Sequence, residues 1–272
     1  MLAKIKNLIK YRELVKNLVV RDLKIRYKES FLGFFWSLLN PLLSLAVYGI
    51  VFGVLFKGRA MGDVPFYIFL FVALLPWTFL VGSLNDSTLS ILGAGSLVKK
   101  IYFPREILPI SKVLANLINF LLTLPVLLTV LIALQVMGKL APFNFWLLLF
   151  LPLIIFIQLI FLSGLSLILS SLQVNYRDVE HTVQVVLLAW FFLTPIVYGP
   201  LDVPQISRGP ALLLYKAINP LTPLTMAYRD ILIYSRVPDF FFLGLAFLLA
   251  LFFLFLGNYI FDRYEPTFAE DI

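Results

Sequence analysis

Side chains able to do chemistry are few in this sequence, and they are not grouped. There is no cysteine and one histidine, His181. A thiolate site is therefore excluded, and a metal at His181 has no second nitrogen or sulfur ligand to share. Asp63, Asp202, Asp230 and Asp239 are scattered, with no close carboxylate pair for acid–base work and no H-E-x-x-H. Gly138-Lys139 lacks the upstream glycine and the following hydroxyl residue of a phosphate-cradling loop. Enzyme chemistry is thus poorly supported, and nothing points to nucleic acid. Aromatic rings are what the chain has in quantity: 27 Phe, 12 Tyr and 4 Trp. Trp36, Tyr48, Trp77, Trp190, Phe191 and Tyr198 are candidates to line a path, where rings and hydroxyls hold a hydrated polymer weakly enough to let it slide. The same rings serve equally as lipid-facing bulk and interfacial belt.

The elements that carry these residues belong to a membrane protein. Of 272 residues, 61% are apolar and 14% charged, against about 25% charged in soluble domains. Solubility and disorder are both excluded on that balance. Six uncharged runs reach the roughly 20 residues that span a bilayer. They predict an all-α integral membrane protein with spans at about 31–56, 64–92, 107–137, 145–172, 182–199 and 240–261. Residues 1–30 form an amphipathic interface segment, 31–262 the spanning domain and 263–272 a tail. Prolines 41, 76, 125, 152 and 195 fall inside the runs, which requires neighbours to satisfy the freed carbonyls. The span interiors hold no Asp, Glu, Lys or Arg; Asp86 and Lys112 lie near span ends, with Asn85 adjacent. A proton- or sodium-coupled carrier needs a carboxylate near the midplane, so any transport draws its energy from another polypeptide.

Charge sets the expected orientation. Residues 1–30 carry nine Lys/Arg, and the first loop carries two, Lys57 and Arg59. The positive-inside rule places the N-terminus, and with six spans the C-terminus, in the cytoplasm. The first apolar run is too long for a cleavable signal. Tyr11, Leu14, Val15 and Leu18 share a helical stripe, and Leu2, Ile5 and Ile9 mark a rotated one. These residues are expected on the inner leaflet, as an amphipathic helix or simply as a basic orientation signal. Between spans two and three, Leu97-Val98-Lys99-Lys100-Ile101-Tyr102-Phe103-Pro104-Arg105 sets apolar residues beside lysines, which suggests docking to headgroups or to a partner protein. Arg177 and Asp178 are expected to cap helix ends or pair with each other. From 200 to 235, two apolar pieces too short to cross predict a re-entrant hairpin at an outer gate, or a surface-lying one.

Five stretches together resemble the type-2 ABC permeases that export polysaccharides such as O-antigen, capsule or teichoic acid. They are Arg21-Asp22-Leu23-Lys24-Ile25-Arg26-Tyr27 with Ser30, Leu32-Gly33, Trp36 and Pro41; Phe103-Pro104-Arg105-Glu106 with Pro109; Asn175-x-Arg177-Asp178-Val179; Asn219-Pro220-x-Thr222-Pro223; and Glu265-Pro266-x-Phe268-Ala269-Glu270. The likeness runs from about residue 11 to the end. It implies a homodimer in the bacterial inner membrane, bound to two copies of a separate ABC ATPase that holds the ATP, with no cofactor of its own. The implied cargo is an undecaprenyl-linked glycan, O-antigen first, passing between the subunits along spans one, two and five. The resemblance makes Leu97, Lys99, Lys100, Ile101, Tyr102, Phe103 and Arg105 the ATPase-coupling segment. It puts Asn219, Pro220, Thr222 and Pro223 at the periplasmic gate. Rival readings are a small-molecule or drug exporter of the same type, a membrane-embedded glycan-processing enzyme, and an ion-coupled carrier.

Overall fold

The computed structural model describes residues 10–27, 35–55, 60–61, 64–140, 142, 144–199 and 210–268. Those residues are mostly helical. Helix α1 is Arg12–Tyr27, and α2, Trp36–Tyr48, runs on as a π-helical segment Gly49–Leu55. A two-residue antiparallel pair, β1 Ala60–Met61 and β2 Val64–Pro65, leads into α3, Phe66–Thr88. Then follow α4 Gly95–Lys100, α5 Ile107–Val136, α6 Leu151–Asn175 and α7 Val179–Leu193. Two short helices, α8 Pro210–Ile218 and α9 Leu221–Leu232, precede α10, Phe240–Tyr264, which ends in a 3-10 turn Glu265–Thr267. Among the described residues, four helical stretches are long and apolar enough to cross a membrane: Phe66–Thr88, Ile107–Val136, Phe145–Asn175 and Phe240–Thr267. Leu39–Phe52 and Val179–Leu193 are shorter apolar helices.

Helix α3 is the axis of the bundle. It is apolar on every side, as a helix enclosed by others must be, and it packs on α5, α6, α7 and α9. The outer helices present Leu121, Ile132, Leu153, Phe156, Leu248, Phe252 and Phe255 outward, surface that suits lipid rather than water. Association of helices in lipid relies on close packing, which small residues permit. Gly164 on α6 and Gly257 on α10 are the contact point of the most extensive helix pair in the fold. A Cβ on Gly164 would stand 2.5 Å from the Phe253 carbonyl carbon.

The prolines are handled differently from one another. Pro41, Pro76 and Pro125 lie within α2, α3 and α5. Pro152 starts α6, where its missing N–H costs nothing. Pro195 ends α7: Thr194 before it is extended (φ −103°, ψ 141°), as the residue preceding a proline prefers. The helix expected to reach residue 199 therefore stops at Leu193.

The predicted hairpin divides into two unlike parts. Helix α9 is buried along most of its length against α3, α6 and α10, whereas α8 buries none of its residues. For α9 a surface-lying arrangement is thus replaced by one inside the bundle. The stripe of α1 also finds a different destination. Leu18 is buried, with Tyr11, Leu14 and Val15 packed beside it, on a cluster that includes Val98, Phe103, Leu167, Phe261 and Phe268. The protein's own body covers this face, so it does not rest on headgroups. The Leu2, Ile5 and Ile9 face and the Ser30, Leu32 and Gly33 positions lie outside the described residues.

Replacing Gly164 with Val should force α6 and α10 apart. Overpacking of this kind costs about 1–3 kcal/mol or more. A lowered thermal midpoint of the purified protein in detergent is the expected result, read by tryptophan fluorescence.

Candidate functional site

Between α2, α3 and α5 lies a groove of about 410 Å³. Trp36, Asn40, Ser44 and Tyr48 recur every fourth residue along α2 and so share one face of it, and all four line the groove. Thr78 on α3 and Asn119 and Thr123 on α5 face them, with Phe71 and Leu74 between and Arg26 at one end. Two of the six candidate aromatics, Trp36 and Tyr48, are thereby brought together on a wall of rings, amides and hydroxyls.

The other four aromatics build a junction between α3, α6, α7 and the hairpin. Trp77 meets Phe191 edge-on at 5.6 Å, and Trp190 meets Phe161 at 6.0 Å. The Trp190 Nε1–H donates to Asn219 Oδ1 at 3.1 Å. The Asn219 amide donates in turn to the Leu193 carbonyl and to Thr194 Oγ1, each at 3.1 Å. Asn219 Oδ1 also accepts the Leu221 N–H at the start of α9. The hydroxyls of Tyr198 and Tyr215 lie 2.9 Å apart, beside the Phe192 and Leu193 carbonyls that the end of α7 leaves open. Pro220, Thr222 and Pro223 are buried around the first turn of α9. The four residues assigned to a gate thus stand where α7 stops and α9 begins.

Arg229 on α9, one of the positions the sequence reading left aside, holds this junction from within. It is 3% exposed. Its guanidinium donates to the carbonyls of Phe69, Pro195 and Ile196 and lies 3.4 Å over the Phe69 ring. Deeper still, Tyr228 donates to Gln158 Oε1 at 3.2 Å, and Gln158 Nε2 donates to the Pro76 carbonyl at 2.8 Å. The available sign was an adjacent Arg229–Asp230 pair in a 13-residue piece that carries no other charge.

At the opposite, basic end, the segment 97–105 is divided by burial. Tyr102 is 98% exposed and Ile101 is exposed with it, while Phe103 is 5% exposed. Lys99 and Lys100 face outward at the end of α4, and Leu97 packs partly against the cluster that holds Phe103. The Arg105 guanidinium donates to the Glu265 carbonyl, tying the loop to the turn after α10. Phe268 is fully buried beneath, edge-on to Phe261 at 5.3 Å. Phe103 and Arg105 are therefore committed to the protein's own core, and Tyr102 and Ile101 are the apolar residues left on offer.

The charges of this end form a chain from α1 into the bundle. Lys112 Nζ on α5 lies 2.9 Å from Asp22 Oδ2. Arg26 donates to Asp86 Oδ2 at 2.6 Å and to Asn116 Oδ1 at 3.2 Å, and Asn116 Nδ2 donates to Asp86 Oδ2 at 2.7 Å. Between α6 and α7 the expected capping pair does not form. Arg177 and Asp178 are both exposed, and Asp178 makes no side-chain cap. Gln173 closes that loop instead, accepting the Glu180 N–H and donating to the Arg177 carbonyl. His181 is exposed in the first turn of α7.

An exposed aromatic tip, a bundle of apolar helices and a groove beside it are compatible with a transport subunit, and comparison with known proteins identifies the lineage. Residues 13–233 match the ABC-2 type transporter family. The chain belongs to this family. Over 272 residues, 100% of both chains, it is 36% identical to the O-antigen export system permease protein RfbA of Myxococcus xanthus. It is 31% identical to the protein of that name from Klebsiella pneumoniae, covering 92% of this chain and 91% of that one. It is 25% identical to the polysialic acid transport protein KpsM of Escherichia coli, over 70% and 72% of the two chains. As an ABC-2 permease, the chain is expected to work with an ABC ATPase.

Burial separates the two neighbouring aromatics of the tip. Phe103→Asp should destabilise the fold by several kcal/mol, because it places a carboxylate in an apolar cluster. Tyr102→Asp should leave the thermal midpoint unchanged. Thermal unfolding of the two purified variants checks the contrast.

Proposed function

We propose that this chain is the membrane-spanning permease of an ABC exporter that carries a lipid-linked polysaccharide, O-antigen foremost, from the cytoplasm to the periplasm. The observation that carries the reading is similarity along the entire chain to relatives named as O-antigen export permeases. The groove supports the cargo class. Its rings and neutral polar groups can contact sugar faces and hydroxyls without the strong ionic bonds that would stall a sliding polymer. The relative named for polysialic acid transport favours, as a second reading, another exported glycan.

In this reading the protein has six spans, α2 with its π-helical continuation and α7 completing the four longer ones. Both termini face the cytoplasm of the bacterial inner membrane. Two copies form the exporter and two ATPase subunits drive it. The ATPase receives Tyr102 and Ile101, with Lys99 and Lys100 at the rim. Phe103, Arg105 and Leu97 hold the tip rigid, so that a push on Tyr102 reaches α5 and α10 rather than dissipating in the loop. The junction around Asn219 and Arg229 forms the periplasmic gate. The catalytic step, ATP hydrolysis, belongs to the partner.

Proteoliposomes holding the chain and its ATPase should take up lipid-linked O-glycan only when ATP is supplied. Uptake by the chain without the ATPase would refute the reading. In the same assay Tyr102→Asp should weaken docking by about 2 kcal/mol or more, roughly thirtyfold in affinity, and lower export accordingly. Trp36→Ala and Tyr48→Ala should each slow export severalfold while the complex with the ATPase still co-purifies. Unchanged export in both would reduce those rings to packing.

A further inference from the structure

A second cavity, of about 490 Å³, lies beneath α8, with α6, α7 and α10 as its other walls. Its size falls within the range of about 300–1,000 Å³ typical of small-ligand pockets. Trp190, Leu193, Leu214, Ile218 and Phe253 are among its lining residues, and among the described residues no Asp, Glu, Lys or Arg lines it. Asn219 and Tyr215 do line it, but their polar groups are already engaged. Asn219 Oδ1 accepts from the Trp190 Nε1–H and the Leu221 N–H. The Asn219 amide donates to the Leu193 carbonyl and to Thr194 Oγ1. The Tyr215 hydroxyl donates to the Leu193 carbonyl and lies against that of Tyr198. What the side chains offer an occupant is therefore carbon and the faces of rings. Water needs two to four polar partners to stay in such a space, and cavities of this kind take hydrocarbon instead.

The surroundings indicate which hydrocarbon. Leu193, Leu214 and Ile218 are 63%, 60% and 68% exposed, so the cavity is open at the side. On α10, Phe253 lines it, and Phe252 and Phe255 beside it belong to the outward surface that suits lipid. The mouth is continuous with that surface. Phe253 also stands near the middle of α10, Phe240–Tyr264. At 1.5 Å per residue it is about 20 Å from the start of the helix, a depth at which a bilayer holds acyl chains and not headgroups. An empty space there would forfeit dispersion contacts on every wall.

We propose that this cavity binds an acyl chain of a membrane phospholipid, in the leaflet away from the basic end, and that the chain seats α8 on the bundle. Helix α8 buries none of its own residues, and the bound chain supplies the contact it lacks. The headgroup remains outside, at the interface. The site goes beyond the export reading and requires only that the bundle stand in a bilayer. Trp190 then faces hydrocarbon and not a sugar path.

The test uses the full chain in detergent, with Trp36→Phe, Trp77→Phe and Trp146→Phe so that Trp190 alone reports. A phosphatidylethanolamine brominated on its acyl chains is titrated into the micelles, and quenching of Trp190 is read. A saturating curve is expected, relieved by the unbrominated lipid. Ala211→Phe places a ring in the cavity from an exposed position on α8. It should raise the half-saturating mole fraction about tenfold or more, by removing the chain's contacts, and leave the thermal midpoint unchanged. Native mass spectrometry of the chain with all its tryptophans should show a retained phospholipid that Ala211→Phe releases. Quenching that rises linearly and ignores Ala211→Phe would overturn the site, leaving ordinary lipid contact. Relief by undecaprenyl phosphate at a lower mole fraction than by phosphatidylethanolamine would overturn it in favour of a polyprenyl chain. Absent quenching would overturn it as well, and an Ile218→Cys disulfide between two chains would then give the cavity to a second copy.

Discussion

A polar group inside an apolar body has no water to turn to. Each carbonyl left open by a broken helix and each buried charge must be answered by another part of the chain. Most of the tertiary arrangement follows from that constraint. Where α7 breaks at Pro195, the carbonyls of Leu193, Pro195 and Ile196 are met by Asn219, Tyr215 and Arg229, all from the hairpin. Within the bundle, Gln158 of α6 donates to the Pro76 carbonyl of α3 and accepts from the Tyr228 hydroxyl. Helix α9 can lie within the bundle because it brings these partners with it. Without them its own ends and the end of α7 would remain unsatisfied.

The same economy operates at the basic end, with charges in place of carbonyls. Asp22 and Arg26 of α1 pair with Lys112, Asp86 and Asn116 of α5 and α3. The N-terminal helix is thereby a fixed part of the bundle. The C-terminal turn is fixed from the other side by Arg105 and by the buried ring of Phe268. Between these two anchors Tyr102 is held outward, 98% exposed, beside the buried Phe103.

Helix α2 contrasts with the rest. Its apolar residues Leu42, Leu43, Val47 and Ile50 are exposed, it contains Pro41, and it ends in a π-helical segment. Such segments recur at functional sites because they loosen the regular ladder. The face that α2 turns to α3 and α5 is the polar and aromatic wall of the groove. The wall is thus built on a helix that the bundle encloses far less than it does α3.

Much of this was legible in the sequence. Apolar runs separated by charges mark out helices suited to a membrane, because hydrophobicity and length are local properties. The spacing of Tyr11, Leu14, Val15 and Leu18 likewise marks an apolar face, and the order of short motifs marks the family. What covers each face was not legible. Whether the stripe of α1 meets lipid or protein, and which of two adjacent rings, Tyr102 or Phe103, turns outward, depends on residues up to 250 positions away in the chain, such as Phe268. Arg229 was not singled out, and its burial is possible only because three carbonyls from two distant segments converge on it. Local sequence sets what a segment can be. The pairing of its polar groups, a property of the whole folded chain, decides where it goes.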